Sequence, residues 1–284
     1  MLGRSFRTMS TIREAHPKPI DPIVRTVALS PSKLLSYTIE SFGDDAPKVS
    51  KPKIVLLHGG PGSHADFRYI SGALKELKEE IPFLELPNVI RVDLPGHGNS
   101  SRGKSADSHE MASSVLQALT ADNITPPYIV VGHSLGGHAA LEASRLEGVV
   151  GTGFIAPVSL SVHKGIRPLW LNKWFGERSE SNAFTKALTD FTYKNILKFP
   201  ARHSSEEFGW VMKRVASIDF ERARELTKDL STPWFLTYAN DDHLIEKEIF
   251  REFRDELKKK TDVRGKIMEF EGGGHNVQKT RGKI

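Results

Sequence analysis

Short apolar runs alternate with helical repeats along most of this chain. VRTVALS (24–30) and KLLSYTIESFG (33–43) read as two strands joined by a short SPSK turn. KIVLLHG (53–59) is an apolar run that enters a Gly-Pro turn, as a buried parallel strand would. DFRYISGALKELKEEI (66–81) places apolar residues at 67, 70, 74, 77 and 81, which is helical spacing. NVIRVDL (88–94) reads as a strand, SHEMASSVLQALTA (108–121) as a helix with Ser108 as candidate N-cap, and PYIVVGH (127–133) as a buried strand. SLGGHAALEASRLE (134–147) is then helical and GVVGTGFIAP (148–157) extended. After an interruption come a strand at 233–240, a charged helix at 246–260 and a last strand at 265–271.

This alternation predicts an α/β protein with a mostly parallel sheet flanked by helices. The interruption, residues 161–231, carries helical patches rich in aromatics: Trp170, Trp174, Phe175, Phe184, Phe191, Tyr193, Phe208 and Trp210. The expected organisation is a tail at 1–22, a core formed by 23–160 and 232–284, and a helical insertion at 161–231.

Composition narrows the function. The 284 residues are 38% hydrophobic and 26% charged, as in ordinary globular proteins. No apolar run approaches the roughly 20 residues of a bilayer-spanning helix, so no integral membrane segment is expected. The net charge is +5, and the KKK at 258–260 reads as a solvated helix end. No stripe of aromatic and basic residues accompanies it, which argues against a nucleic-acid partner. The absence of cysteine excludes disulfides, thiolate nucleophiles and cysteine zinc sites. His133 and His138 are five apart, the wrong spacing for two ligands on one helical face, so neither metal nor cofactor is expected. MLGRSFRTMSTIR has three arginines and no acid before Glu14, which suits a mitochondrial targeting segment and lacks the apolar core of a secretory signal. The expected location is cytoplasmic or mitochondrial.

Two stretches imitate nucleotide-binding motifs. GNSSRGKS (98–105) fits the phosphate-loop template G-x-x-x-x-G-K-[ST]. Pro95 to His97 separate it from the preceding strand, no internal glycine lets it curl around phosphate, and the next helix is expected only at Ser108. GTGFIA (151–156) fits G-x-G-x-x-A, but Pro157 and the polar residues beyond do not open a helix.

The chemistry points elsewhere. Gly132-His133-Ser134-Leu135-Gly136 is a G-x-S-x-G sequence between an apolar strand and an apolar-periodic helix. A serine at such a sharp turn stands above the sheet at a helix N-terminus, where developing negative charge is favoured. A serine nucleophile needs a base, and the base an orienting carboxylate. FLTYANDDHL (235–244) ends a strand with two aspartates, and EGGGHN (271–276) offers His275 after the last strand. Adjacent side chains point apart, so one aspartate at most faces His275. Asp242, followed by His243, Leu244 and Ile245, fits D-x-L-[IV] and is the choice here; Asp241 is left as a solvated or turn-capping residue. LLHGGPGS (56–63) offers the N–H of Gly60, which with that of Leu135 forms a candidate oxyanion hole above Ser134.

HGGPG, DLPGHGNS, GHSLGG and the position of the insertion together resemble the α/β-hydrolase fold superfamily, in its cap-bearing, esterase- and lipase-like serine hydrolase branch. The resemblance runs from about residue 24 to the end of the sequence. It implies structural roles for Asp93 and Ser100 and a cap over the site at 161–231. Two departures stand out: nine residues follow His275, so the final helix is expected to be short and its loop weakly braced, and His138 is a bulky residue behind Ser134, expected at the surface or as a support.

The expected function is hydrolysis of an ester or related acyl bond in a small, partly apolar substrate through an acyl-enzyme. Trp170, Trp174 and Phe175 are candidate pocket residues. The alternatives are an aminopeptidase or C–C bond hydrolase with the same triad, and a ligand-binding protein on a hydrolase scaffold.

Overall fold

The computed structural model of the chain describes residues 23–42, 51–178, 181–196 and 205–281. The basic tail at 1–22 and two parts of the aromatic-rich insertion, 179–180 and 197–204, lie outside the described residues.

Eight strands form one sheet: β1 (Val24–Ser30), β2 (Lys33–Glu40), β3 (Lys53–Leu57), β4 (Val89–Asp93), β5 (Tyr128–His133), β6 (Val149–Ile155), β7 (Trp234–Ala239) and β8 (Gly265–Phe270). Their order is β1-β2-β4-β3-β5-β6-β7-β8. β2 runs antiparallel to β1 and to β4, and every later pairing is parallel. The central strands read as unbroken apolar runs because helices cover both faces. Consecutive residues leave the strands in opposite directions. Leu57 and Val130 join one core with Phe154, Leu236 and Phe250, while Leu56 and Val131 join a smaller one with Phe67, Ile155 and Val277.

Between the strands lie α1 (Arg68–Glu80), α2 (Ser108–Ala121) and α3 (Gly136–Ala143). A 3-10 turn, His64–Phe67, leads into α1, and Ser63 and Asp66 close a capping box on it. The cap of α2 is Asp107 rather than Ser108: its Oδ1 accepts the Glu110 N–H at 2.7 Å, and carboxylate charge at a helix start is favourable. Every residue of α3 is buried, which accounts for its run of glycine and alanine.

From β6 to β7 the chain forms α4 (Leu169–Arg178), α5 (Ala183–Phe191), α6 (Ser205–Ala216) and α7 (Phe220–Lys228). α6 packs against α4 and α5, whereas α7 lies against α3 and against α8 (Lys247–Lys258) beside the sheet. α8 buries Phe250, Phe253 and Leu257 at helical spacing, and its exposed end holds the lysine run. A last short helix, α9 (Val277–Thr280), follows β8.

Neither nucleotide-like motif has the required setting. Lys104 and Ser105 precede α2 instead of opening it, and Gly151 to Ile155 lie inside β6. Among the described residues no helix is long and apolar enough to cross a membrane.

Candidate active site

Ser134 sits in the turn from β5 to α3 with φ at +52°, the left-handed region that non-glycine residues avoid. That conformation costs about 1–3 kcal/mol and persists only when its surroundings impose it. Here they do. The Ser134 N–H donates to Ile155 O at 3.0 Å, and the Ser134 carbonyl accepts from Gly137 N at 2.9 Å and Val158 N at 3.0 Å. A Cβ on Gly132 would stand 2.2 Å from Gly136 O, and one on Gly136 would stand 2.2 Å from Leu57 O. The two glycines of G-x-S-x-G are therefore fixed by how closely the turn folds onto itself and onto β3.

His275, from the loop between β8 and α9, reaches this serine. Its Nε2 is 2.9 Å from Ser134 Oγ, and its Nδ1 is 2.7 Å from Asp242 Oδ2. All three residues are buried. The other Asp242 oxygen accepts from Leu244 N at 2.8 Å and Ile245 N at 3.0 Å. Burial acts to raise the Asp242 pKa, but the His275 hydrogen bond and charge and these two backbone donors outweigh it and hold the carboxyl below its ordinary value.

Asp241 faces the other way and clamps the same loop. Its Oδ1 accepts from Gly273 N at 3.0 Å and Gly274 N at 2.8 Å. More ties secure the loop than the short final helix suggests. Thr280 Oγ1 donates to Gly273 O at 2.8 Å, Arg281 Nε donates to Gly272 O at 2.9 Å, and Lys279 pairs with Asp66 at 3.0 Å. His133 donates from Nε2 to the His275 carbonyl at 3.1 Å. Burial, then the charge of His275, pushes the His133 pKa down to about 3, so His133 stays a neutral support. Only its position beside the serine hinted at this role. His138 is likewise buried rather than at the surface; its Nε2 donates to Ser159 O at 2.8 Å, anchoring α3 from behind.

The HGGPG loop comes down next to the serine. A Cβ on Gly59 would lie 2.8 Å from Ser134 Cβ, and one on Gly60 would lie 3.0 Å from Leu135 Cδ1 and 3.1 Å from Val211 Cγ1. Gly60 and Leu135 are thus neighbours, and Val211 of α6 closes over them. The DLPGHGNS loop supports this arrangement from the side. Asp93 accepts from His64 N at 2.7 Å, His64 Nδ1 at 2.8 Å and Asn99 N at 3.0 Å. Ser100 Oγ donates to Asp93 O at 2.5 Å and accepts from Ser36 N at 2.8 Å, stitching the loop to β2. Trp210 of α6 donates from Nε1 to Pro95 O at 2.7 Å.

The three aromatic pocket candidates are placed differently from one another. Trp170 is 70% exposed and Trp174 is 38% exposed, with Arg178 over its ring. Phe175 lines a cavity of about 150 Å³ within the inserted helices, together with Leu171, Thr189 and Met212. A side chain that does meet the HGGPG loop is Val211, which no aromatic pattern marks. Among the described residues no cluster of histidines and carboxylates has the arrangement to hold a metal ion.

A mostly parallel sheet with a left-handed serine after its fifth strand, a carboxylate after its seventh and a histidine after its eighth defines the α/β-hydrolase class of fold. The family model described as "Alpha/beta hydrolase family" matches residues 54–282, and the chain belongs to that family. Among solved structures it is similar to the enol-lactonase from Burkholderia xenovorans LB400 (TM-score 0.65, 14% identity, 90% of this chain and 94% of that one). It is similar also to the bromoperoxidase from Bacillus anthracis (TM-score 0.63, 17% identity, 92% and 96%). Among curated proteins, the sn-1-specific diacylglycerol lipase of Mus musculus is 34% identical over 90 residues, which is 32% of this chain and 27% of that protein. An uncharacterized protein of Caenorhabditis elegans is 28% identical over 137 residues, 45% of this chain and 37% of that protein. The matched part thus spans about a third of the length of these curated relatives.

Proposed function

We propose that the protein is a serine hydrolase that cleaves an ester or related acyl bond, with Ser134 as nucleophile, His275 as general base and acid, and Asp242 as the carboxylate that orients it. The observation that carries this reading is the imidazole of His275, 2.9 Å from the Ser134 hydroxyl on one side and 2.7 Å from Asp242 on the other. Family membership and the lipase name of a partial relative support it.

The chemistry follows from the geometry. His275 Nε2 takes the Ser134 proton as Oγ attacks the acyl carbon. The oxygen that gains charge is held by the N–H groups of Gly60 and Leu135, at the N-terminus of α3, a contribution of about 3 kcal/mol per donor in such sites. The intermediate collapses, the alcohol leaves with the proton from His275, and an acyl group remains on Ser134. Water, deprotonated by the same imidazole, attacks the acyl-enzyme and releases the acid. Within the insertion, α4, α5 and α6 serve as the cap, with Val211 of α6 over the oxyanion loop, while α7 packs beside the sheet.

Labelling with a fluorophosphonate and mapping the adduct tests the proposal. The adduct belongs on Ser134, disappears in Ser134→Ala and forms far more slowly in His275→Ala. Folded protein that takes no label and cleaves no aryl ester of any chain length would overturn it.

A further inference from the structure

α6 carries a charge that the chemistry above does not use. Arg214 is only 4% exposed, yet among the described residues no carboxylate lies within ion-pair distance of it. Its side-chain hydrogen bond runs from Nη1 to His97 Nε2 at 3.1 Å. Burial pushes the His97 pKa down to about 3, so the ring is neutral and offers one lone pair to a guanidinium with five N–H donors. Glu207 faces the far side of the same ring, 3.9 Å from Nδ1, and is 20% exposed. Burial lowers Arg214 to about 9, which still leaves it charged at neutral pH. Holding a guanidinium out of water without a direct counter-charge costs several kcal/mol, and an apolar side chain would dock the helix without that cost.

The location is informative. Arg214 follows Val211 by three residues, so the two share a face of α6. Val211 meets Gly60, and the His97 ring that holds Arg214 stands edge-on to the ring of His58, 5.0 Å away. His58 immediately precedes Gly59 and Gly60. The unneutralised cation therefore stands beside the oxyanion loop, oriented by a neutral imidazole.

We infer that Arg214 binds a carboxylate of the substrate, so that the preferred substrates are esters whose acyl or alcohol part carries a second, anionic group. The inference rests on the hydrolase reading of the Ser134 site and deepens it. A planar guanidinium fixed on one edge presents its other N–H groups for a bidentate grip on a carboxylate.

Two matched pairs of esters test it: mono-para-nitrophenyl glutarate against para-nitrophenyl butyrate, and acetoxybenzoate against phenyl acetate. The wild type is expected to favour the anionic member of at least one pair by about tenfold or more in kcat/KM. Arg214→Gln should lower that rate by about a hundredfold and the neutral ester's by far less, so that the anionic preference is lost, and Arg214→Lys should recover part of it. A second readout needs no turnover: calorimetry of glutarate and benzoate with Ser134→Ala, with and without Arg214→Gln. An anionic preference lost in Arg214→Gln, or carboxylate binding lost in the double variant, supports the inference. Equal rates within both pairs together with no carboxylate binding overturn it, and leave the hydrolase reading intact. Carboxylate binding through Arg214 in a protein that cleaves no ester would leave the subsite standing and remove the hydrolase reading instead. Should Arg214→Gln fail to fold, the wild-type preference and the binding to Ser134→Ala decide alone.

Discussion

Asp242→Asn separates what this carboxylate does electronically from what it holds in place. Oδ1 receives the N–H groups of Leu244 and Ile245 at 2.8 and 3.0 Å, and Oδ2 faces His275 Nδ1 at 2.7 Å. An asparagine keeps the first two bonds with its own oxygen and then presents an NH2 group to the imidazole. Two donors cannot face each other, so the ring adopts the tautomer with a bare Nδ1 and a protonated Nε2. Nε2 then donates toward Ser134 Oγ and cannot take its proton. Reaction proceeds only through the scarce opposite tautomer. The expected loss in kcat is about 10⁴, or roughly 5.5 kcal/mol of transition-state stabilisation at ~1.36 kcal/mol per decade. KM should change little, because Asp242 lies behind His275. The thermal midpoint should hold, because both backbone bonds survive. Initial rates on a short-chain aryl ester, with melting curves of the same samples, measure all three quantities. A variant within tenfold of wild type would refute the reasoning. Asp241→Asn is the control, since it retains the oxygen that receives Gly273 and Gly274 and should keep its rate within about threefold, as exposed substitutions usually do.

Three further outcomes are expected. Burial pushes the pKa values of His97 and His133 down to about 3 and that of His163 to about 4, from an ordinary 6.5. Because each folded value is depressed, the unfolded chain binds more protons below pH ~6.5, and stability falls by up to about 1.4 kcal/mol per pH unit for each histidine as the pH drops toward those values. Melting temperatures constant from pH 7 to 4.5 would contradict this. Ser134→Gly should be more stable than Ser134→Ala by on the order of 0.5–1 kcal/mol, because glycine relieves the +52° φ; urea midpoints that coincide would remove the strain argument. Trp210→Phe leaves the Pro95 carbonyl without its 2.7 Å donor and should cost about 1–3 kcal/mol, seen as a melting point several degrees lower; an unchanged melting point would assign that bond no net contribution.

The sheet was legible because its strands are short apolar runs separated by segments of 3.6-residue period, a pattern that holds on both sides of the 161–231 insertion. Boundaries were less so. The periodic run at 134–147 predicts a longer helix than α3, which stops at Ala143. The cap of α2 shifted from Ser108 to Asp107 because both residue types cap well and only geometry separates them. The serine, the histidine and the two aspartates could be picked out because each lies just beyond the end of an apolar strand: Ser134 after β5, Asp241 and Asp242 after β7, and His275 after β8. The alternation of neighbouring side chains allowed only one of Asp241 and Asp242 to face His275, the D-x-L-[IV] pattern at 242–245 chose between them, and the clamp on Gly273 and Gly274 had no sequence signal.

The inserted helices were the least legible part, and the reason is physical. Aromatic content marked Trp170 and Trp174, but a large apolar side chain in a surface helix can face its neighbours or the solvent, and these two are exposed. What reaches the site is one face of α6. Trp210 and Arg214 are four apart and both grip the 95–97 segment, through Pro95 O and His97 Nε2. Val211, between them in sequence and three before Arg214, meets Gly60. Helical spacing thus delivers a tether, an apolar contact and a cation to the two loops that flank Ser134. Periodicity reveals that such residues share a face. It does not reveal which surface that face meets, because the partner loops lie more than a hundred residues away along the chain. On the reading proposed above, substrate choice falls to this face of α6, at some distance in sequence from the motifs that carry Ser134, Asp242 and His275.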